Sequence, residues 1–263
     1  MKPTFIDDID EAKKTANEPK KQSDYFDQFR GLTFREFWDK LPNKLIYRPY
    51  EEELEEIDSN HKQLWIKKEV GLGVTEWYLR RIAWKCLKDD ELKNKQVDVS
   101  VVLVTGPRID LAIQLIDRLK DLFEYDFNIK ETVCELNGCK IEAFPSHHLS
   151  TAHGLNPFIV LLEEADFFHT NEQMEARGMA ERYITKTNPD IRMVSTANLP
   201  GGLYETIENE EPCLYKKHYM LYPMGLGSAY TAELIEIAKQ SPSWEREHLG
   251  MYGFGLGDIF EGI

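Results

Sequence analysis

The chain has no long apolar run. Its longest of note, FIVLL at 158–162, is far short of the ~20 residues a helix needs to cross a bilayer, so it reads as a buried strand. The first thirty residues lack the apolar core of a signal peptide and the Arg-rich, acid-poor bias of a transit peptide. The expected location is therefore a cytoplasm, with no membrane contact. Cysteine is scarce: Cys86, Cys134, Cys139 and Cys213 lack the paired short spacings of a zinc site, are too few for a disulfide scaffold, and read as reduced thiols. Positive charge is in deficit, with 46 acidic against 32 basic residues and a formal charge of −14. That excludes a broad, static nucleic-acid-binding face and leaves only local contact, or contact made by an assembly.

What is present is ordinary globular material, 42% hydrophobic and 30% charged over 263 residues, enough for one α/β domain with attachments. Residues 1–28 carry few apolar positions and no sustained period, and are expected to be a mobile arm or a peripheral helix. From Phe29 onward, apolar runs bounded by turn signals alternate with helical patterns, which predicts a mostly parallel sheet flanked by helices. Strands are expected near 63–67, 99–105, 158–162 and 191–196. Between the second and third lies TVCELNGCKIEAF, where Asn137-Gly138 signals a type I′ hairpin that pairs Leu136 with Cys139 and Cys134 with Ile141. Val74, Tyr78, Ile82 and Cys86 form one apolar row of a buried helix, with Leu79, Ala83 and Leu87 beside it. Segment 111–123 repeats the idea, with Leu111, Leu115, Leu119 and Leu122 facing the sheet. Near the end come a short helix, a Ser-Pro break, a second short helix, and a glycine-dense tail over 251–263 of linker composition.

Three motifs carry chemistry. In WIKKEVGLGVTEW, residues 65–77, a strand meets a helix through a G-x-G loop, but Val74 stands where G-x-x-x-x-G-K-[ST] puts its lysine. Amides of Gly71, Leu72, Gly73 and Val74 with a helix N-terminus behind them suit phosphate, and Thr75 offers a hydroxyl for Mg²⁺. Lys67 and Lys68 end the preceding strand, and Lys68 is expected to fold over the loop. A G-x-G turn alone is more often only a tight turn. The second motif, FIVLLEEADFF, ends a buried strand in carboxylates where open α/β sheets bind ligands: Glu163 for the metal, Glu164 for the attacking water. It follows the loop by about ninety residues. The third, RMVSTANLPGG at 192–202, ends a strand in small polar residues suited to sensing a γ-phosphate, Asn198 among them.

In this order the motifs resemble the ATPase domain of the large terminase subunit, the DNA-packaging motor of tailed viruses. That family shifts the loop lysine toward the preceding strand, as Lys68 is here, and has counterparts of LLEEADFF and STAN. The resemblance covers roughly 45–260 and implies a P-loop (RecA/ASCE-like) fold with a β-hairpin insertion: a core over 29–213 and a small C-terminal lid over 214–250. It further implies hydrolysis of ATP with Mg²⁺ to move double-stranded DNA into a capsid. The implied partners are the portal protein and the small terminase subunit, and the implied working form is a homo-oligomeric ring in the host cytoplasm, transiently at the portal. By the same analogy Tyr50, in YRPYEEELEEI, stacks on the adenine, and Arg108, Arg177 or Arg192 serves as a charge-stabilising finger. No RNase H-like nuclease is expected within this sequence, so DNA cutting is not. A helicase-like remodeller, and a nucleotide-binding adaptor that does not hydrolyse, are the alternatives. The acidic run Glu51–Asp58 reads as a solvated helix face, and His147, His148 and His153 lack the partners of a metal site.

Overall fold

A computed structural model of the chain describes residues 22–127 and 130–253. Most of the expected N-terminal arm, and the tail beyond Gly253, lie outside the described residues. The apolar runs become strands of one sheet: β1 (Gln63–Lys68), β2 (Val101–Thr105), β3 (Val133–Leu136), β4 (Cys139–Pro145), β5 (Ile159–Glu163), β6 (Asp190–Ser195) and β7 (Lys216–Met220). Their spatial order is β3-β4-β2-β5-β6-β1-β7. Every neighbouring pair is parallel except β3 with β4. The helices are α1 (Gln22–Phe26), α2 (Phe34–Lys40), α3 (Pro49–Asn60), α4 (Val74–Leu87), α5 (Ile109–Lys120), α6 (Thr170–Glu181), α7 (Leu203–Asn209), α8 (Ala232–Ala238) and α9 (Trp244–Leu249).

Strand alternation divides the core in two. Leu64, Ile66, Leu103 and Leu161 pack with Tyr78, Leu79 and Ile82 of α4 on one face. Trp65, Val102, Val104 and Leu162 pack with Met179 of α6 and Tyr204 of α7 on the other. The hairpin has the expected register, Leu136 opposite Cys139 and Cys134 opposite Ile141. Positive φ at both Asn137 (51°) and Gly138 (78°) is what a type I′ turn requires.

Three sequence expectations are corrected. Packing begins before Phe29, because Phe26 is buried with its ring edge-on to Phe123 at 5.2 Å. The lid boundary at 214 cuts off a strand of the core, since β7 runs parallel to β1 from Leu64 opposite Lys216 to Lys68 opposite Met220. It is an edge strand in which Lys216 and Tyr219 are exposed, polar positions that suit an edge, and its apolar signal is weak for that reason. The acidic run is not wholly a solvated face, because Glu51 and Asp58 are both buried. Glu51 accepts from the Arg48 amide at 2.5 Å and caps α3.

Asp58 ties α3 to the sheet and to α4. Its carboxylate accepts from Arg192 Nε at 2.5 Å and Arg81 Nε at 2.9 Å, which removes Arg192 as a finger: the guanidinium is buried and spent. Burial alone would raise the Asp58 pKa, but Arg192, Lys85 and Arg81 outweigh it and hold the group well below the ordinary carboxylate range. A depressed folded pKa gives stability that is present above the unfolded value of about 4 and lost as pH falls below it. Asp58→Ala should therefore lower unfolding stability by about 3–5 kcal/mol at pH 7, because it strands two buried cations. Urea titration at pH 7 and at pH 3 checks this, the deficit being smaller at pH 3.

Candidate phosphate and metal site

The site is built at the carboxyl edge of the sheet. There β1 runs into the loop Glu69–Gly73, and α4 starts at Val74. Gly71 (φ 94°) and Gly73 (φ 72°) hold the left-handed backbone, where a Cβ would be strained. Leu72 and Val74 bury their side chains and leave only backbone to offer a ligand. The Tyr50 ring, expected to stack on the adenine, is not exposed where a base could meet it. It is buried beneath the loop, and its hydroxyl donates to the Leu72 carbonyl at 2.9 Å, so its ring braces the loop.

Strand alternation also separates the two lysines. Lys68 follows Leu64 and Ile66 toward α4, whereas Lys67 follows Trp65 to the opposite face. Lys67 Nζ donates to Glu208 Oε2 at 2.7 Å and lies 4.5 Å from the centre of the Tyr252 ring. The expectation that Lys67 lines the phosphate site is therefore corrected. Lys68, also buried, donates to the Glu164 carboxylate and to Thr196 Oγ1 at 3.2 Å.

Glu163 is the last residue of β5 and faces the same side as Lys68. It accepts from Thr75 Oγ1 of α4, while its Oε2 is buried with no partner. Burial first, and then the neighbouring Glu164, push its carboxyl up to about 7 against the opposing pull of Lys68 and Thr75. A hydroxyl, a carboxylate with a bare oxygen and a second carboxylate nearby form a hard-oxygen set short of positive charge, which fits Mg²⁺. Glu164 itself has φ 52°, a left-handed backbone that a non-glycine residue adopts at some energetic expense. Its carboxylate accepts from the Thr196 amide at 3.1 Å and from Ser195 Oγ at 3.2 Å, and it stays half-exposed. Because β6 lies between β1 and β5, Ser195 and Thr196 stand between the lysine and the acids.

Sequence reasoning did not single out Asp166, which is fully buried. Its Oδ2 accepts from the Asn198 amide at 2.7 Å and its Oδ1 from the Tyr204 amide at 3.2 Å. The Asn198 side chain donates to the Asp166 carbonyl at 3.2 Å, so Asn198 is committed to this knot. Burial pushes the Asp166 carboxyl up to about 6, against the two amides. Its one sequence signal was its place at the end of EEAD. Arg48 was also missed: its Nη1 lies 4.0 Å from where a Cβ on Gly73 would stand, beside the loop. Arg177 is paired with Glu181 and Glu210, at 2.7 and 2.8 Å. Arg108 is exposed and paired with Asp110. Among the described residues no cluster of three or more His, Cys, Asp or Glu could hold a metal, and no helix is long and apolar enough to cross a membrane.

The start of the loop is gripped from the C-terminal side. The Glu69 amide donates to Met220 O at 2.9 Å, and the Val70 amide to Glu247 O at 3.1 Å. Glu69 is fully buried, with Oε2 3.2 Å from His248 Nδ1 and Oε1 unpartnered. Burial pushes its carboxyl up to about 8. A raised folded pKa gives stability that is present below the unfolded value and lost as pH climbs toward the folded one. Glu69→Gln, which does not titrate, should gain stability on the wild type by roughly 1–3 kcal/mol between pH 5 and pH 8. Thermal unfolding at both pH values reads this, and a difference independent of pH would contradict the assignment.

No family model matches the chain, and no curated protein is similar to it in sequence. Solved structures are similar in fold. The ATPase domain of the Thermus phage P74-26 large terminase superposes with a TM-score of 0.54 at 14% identity, covering 83% of this chain and 98% of that one. The large terminase of bacteriophage HK97 gives a TM-score of 0.59 at 13% identity, covering 83% of this chain and 54% of that one. A large terminase from a thermophilic bacteriophage, in complex with ADP, gives 0.53 at 10% identity, covering 89% of this chain and 53% of that one; the same protein is also solved with ATP-gamma-S. The chain spans about half the length of these last two terminases. At these identities the likeness is one of architecture: the chain has the α/β P-loop fold of large terminase ATPase domains.

Proposed function

We propose that this chain binds ATP at the Gly71–Thr75 loop and hydrolyses it, and that the hydrolysis drives double-stranded DNA into a viral capsid. The observation that carries the reading is the meeting of Lys68, Thr75, Glu163 and Glu164 beside a two-glycine loop at a helix N-terminus. Support comes from the terminase-like architecture and from the adenine nucleotides held by the thermophilic phage terminase.

Loop amides and the α4 dipole receive the phosphates. A triphosphate there competes with Glu164 for the Lys68 ammonium. When the ammonium turns to a phosphate oxygen, Glu164 loses its counter-charge but keeps the Thr196 amide and Ser195 hydroxyl, which leaves it oriented to accept a proton from the attacking water. Thr75 and Glu163 would hold Mg²⁺, which supplies charge neutralisation for the β- and γ-phosphates. Release of the γ-phosphate alters what Lys68 and Thr196 contact. Glu164 and Asp166 link that change to Asn198 and Tyr204, and the Asn198 carbonyl accepts from Gly253 at 3.1 Å, a route toward the C-terminal segment 221–250. By family analogy the portal protein and the small terminase subunit are partners and the working form is a ring of copies.

ATP turnover and nucleotide affinity, measured with DNA present, test the reading. Glu164→Gln should lower turnover by about 100-fold or more with binding kept, and Lys68→Ala should weaken ATP binding by about tenfold or more. Equal, near-zero turnover in the wild type and Glu164→Gln with intact binding would indicate a nucleotide-binding adaptor. Unchanged affinity in Lys68→Ala would contradict the loop assignment.

A further inference from the structure

A cavity of about 550 Å³ opens at the opposite, amino edge of the sheet. Lys62, Phe158 and Asp190, at the starts of β1, β5 and β6, form its floor, and the C-terminal half of α4 with the turn that follows forms its wall. Strand length separates it from the phosphate loop by about 20 Å. The lining brings together five cations, Lys62, Arg81, Lys85, Lys88 and Lys95, against three carboxylates, Asp58, Glu91 and Asp190, on a chain whose formal charge is −14. Arg81 is fixed by Asp58, and Lys85 and Lys62 by Asp190, the Lys62 ammonium at 2.8 Å. In contrast, Lys88 and Lys95 pair only with the surface carboxylates Asp89 and Glu91, contacts worth little and readily exchanged. Their ammonium groups stand 5.5 Å from the Trp84 ring centre and 4.6 Å from that of Phe158. Both rings are half-buried, Trp84 in the wall and Phe158 in the floor of the cavity. The Trp84 indole is held in place by its N–H bond to the Leu32 carbonyl at 2.8 Å.

A cation-rich lining repels metal ions, and lysine ammoniums held only in surface pairs suit phosphate as point charges. The volume is that of a small-molecule site, whereas a nucleic-acid duplex would meet only the rim. Burial would raise the pKa of Asp58 and Asp190, yet the surrounding cations hold both down, as a positive local field requires.

We propose that this cleft binds a small phosphorylated compound of nucleotide size, its phosphates on Lys88 and Lys95 and its ring system against Trp84 and Phe158. The site is independent of the phosphate loop. Isothermal titration of the full chain with ADP tests it against Lys88→Ala/Lys95→Ala and the charge-preserving Lys88→Arg/Lys95→Arg. Affinity at one site per chain should fall by about tenfold or more in the alanine pair and be largely kept in the arginine pair, with ATP turnover unchanged in both. The same titrations repeated in the Lys68→Ala background, where the loop site is weakened, separate this fall from ADP bound at the loop. Identical ADP isotherms for the wild type and the alanine pair would overturn the proposal. So would alanine variants that weaken binding of a 20-base-pair duplex while leaving ADP binding intact, which would make the face a nucleic-acid contact.

Discussion

The arrangement rests on one charge pair, the Lys68 ammonium against the Glu164 carboxylate. Both groups are carried on strand ends that are not neighbours: β1 and β5 flank β6. The pair therefore closes a bridge over Ser195 and Thr196, and both of those residues bond into it. In a largely desolvated pocket an unpaired ammonium is expensive, so Lys68 must have an anion, and only an incoming anion can displace Glu164. The same bond thus orders the site and makes its acid conditional on what sits in the loop.

This constraint explains why the shifted lysine is workable. A lysine within a phosphate loop lies on the helix side of its glycines, whereas Lys68 lies on the strand side and must be aimed by the pleat. Strand alternation gives that aim to Lys68 and denies it to Lys67, whose ammonium is taken up by Glu208 and the Tyr252 ring. The braces behind the loop, the Tyr50 hydroxyl on the Leu72 carbonyl and Glu51 on the Arg48 amide, hold the backbone so that two glycines suffice.

Much of this was legible from residue patterns because the determinants are local. The four buried strands, the Asn137-Gly138 register and the two rows of α4 follow from periods of 2 and 3.6 and from one turn signal. The grouping of Lys68, Thr75, Glu163 and Glu164 followed from placing loop and acids at strand ends. What escaped was decided by long-range packing. Tyr50 read as a base-stacking ring because sequence does not show that α3 lies under the loop. Asp58 and Arg192 read as surface acid and catalytic finger because their partner is 134 positions away. β7 has the polar outer face of an edge strand, and only the need to cover β1 reveals it. The role of Asp166 is not legible in the sequence because the partners of its carboxylate are backbone amides, which leave no trace in residue identity.

The central claim is that Lys68 exchanges Glu164 for phosphate. A crystal structure of the chain with Mg²⁺ and a non-hydrolysable ATP analogue tests it most directly. The account predicts Lys68 Nζ within hydrogen-bond distance of a β- or γ-phosphate oxygen, with Glu164 released from it and facing water. A bound analogue with Lys68 still on Glu164, or one seated away from the Gly71–Thr75 loop, would contradict it.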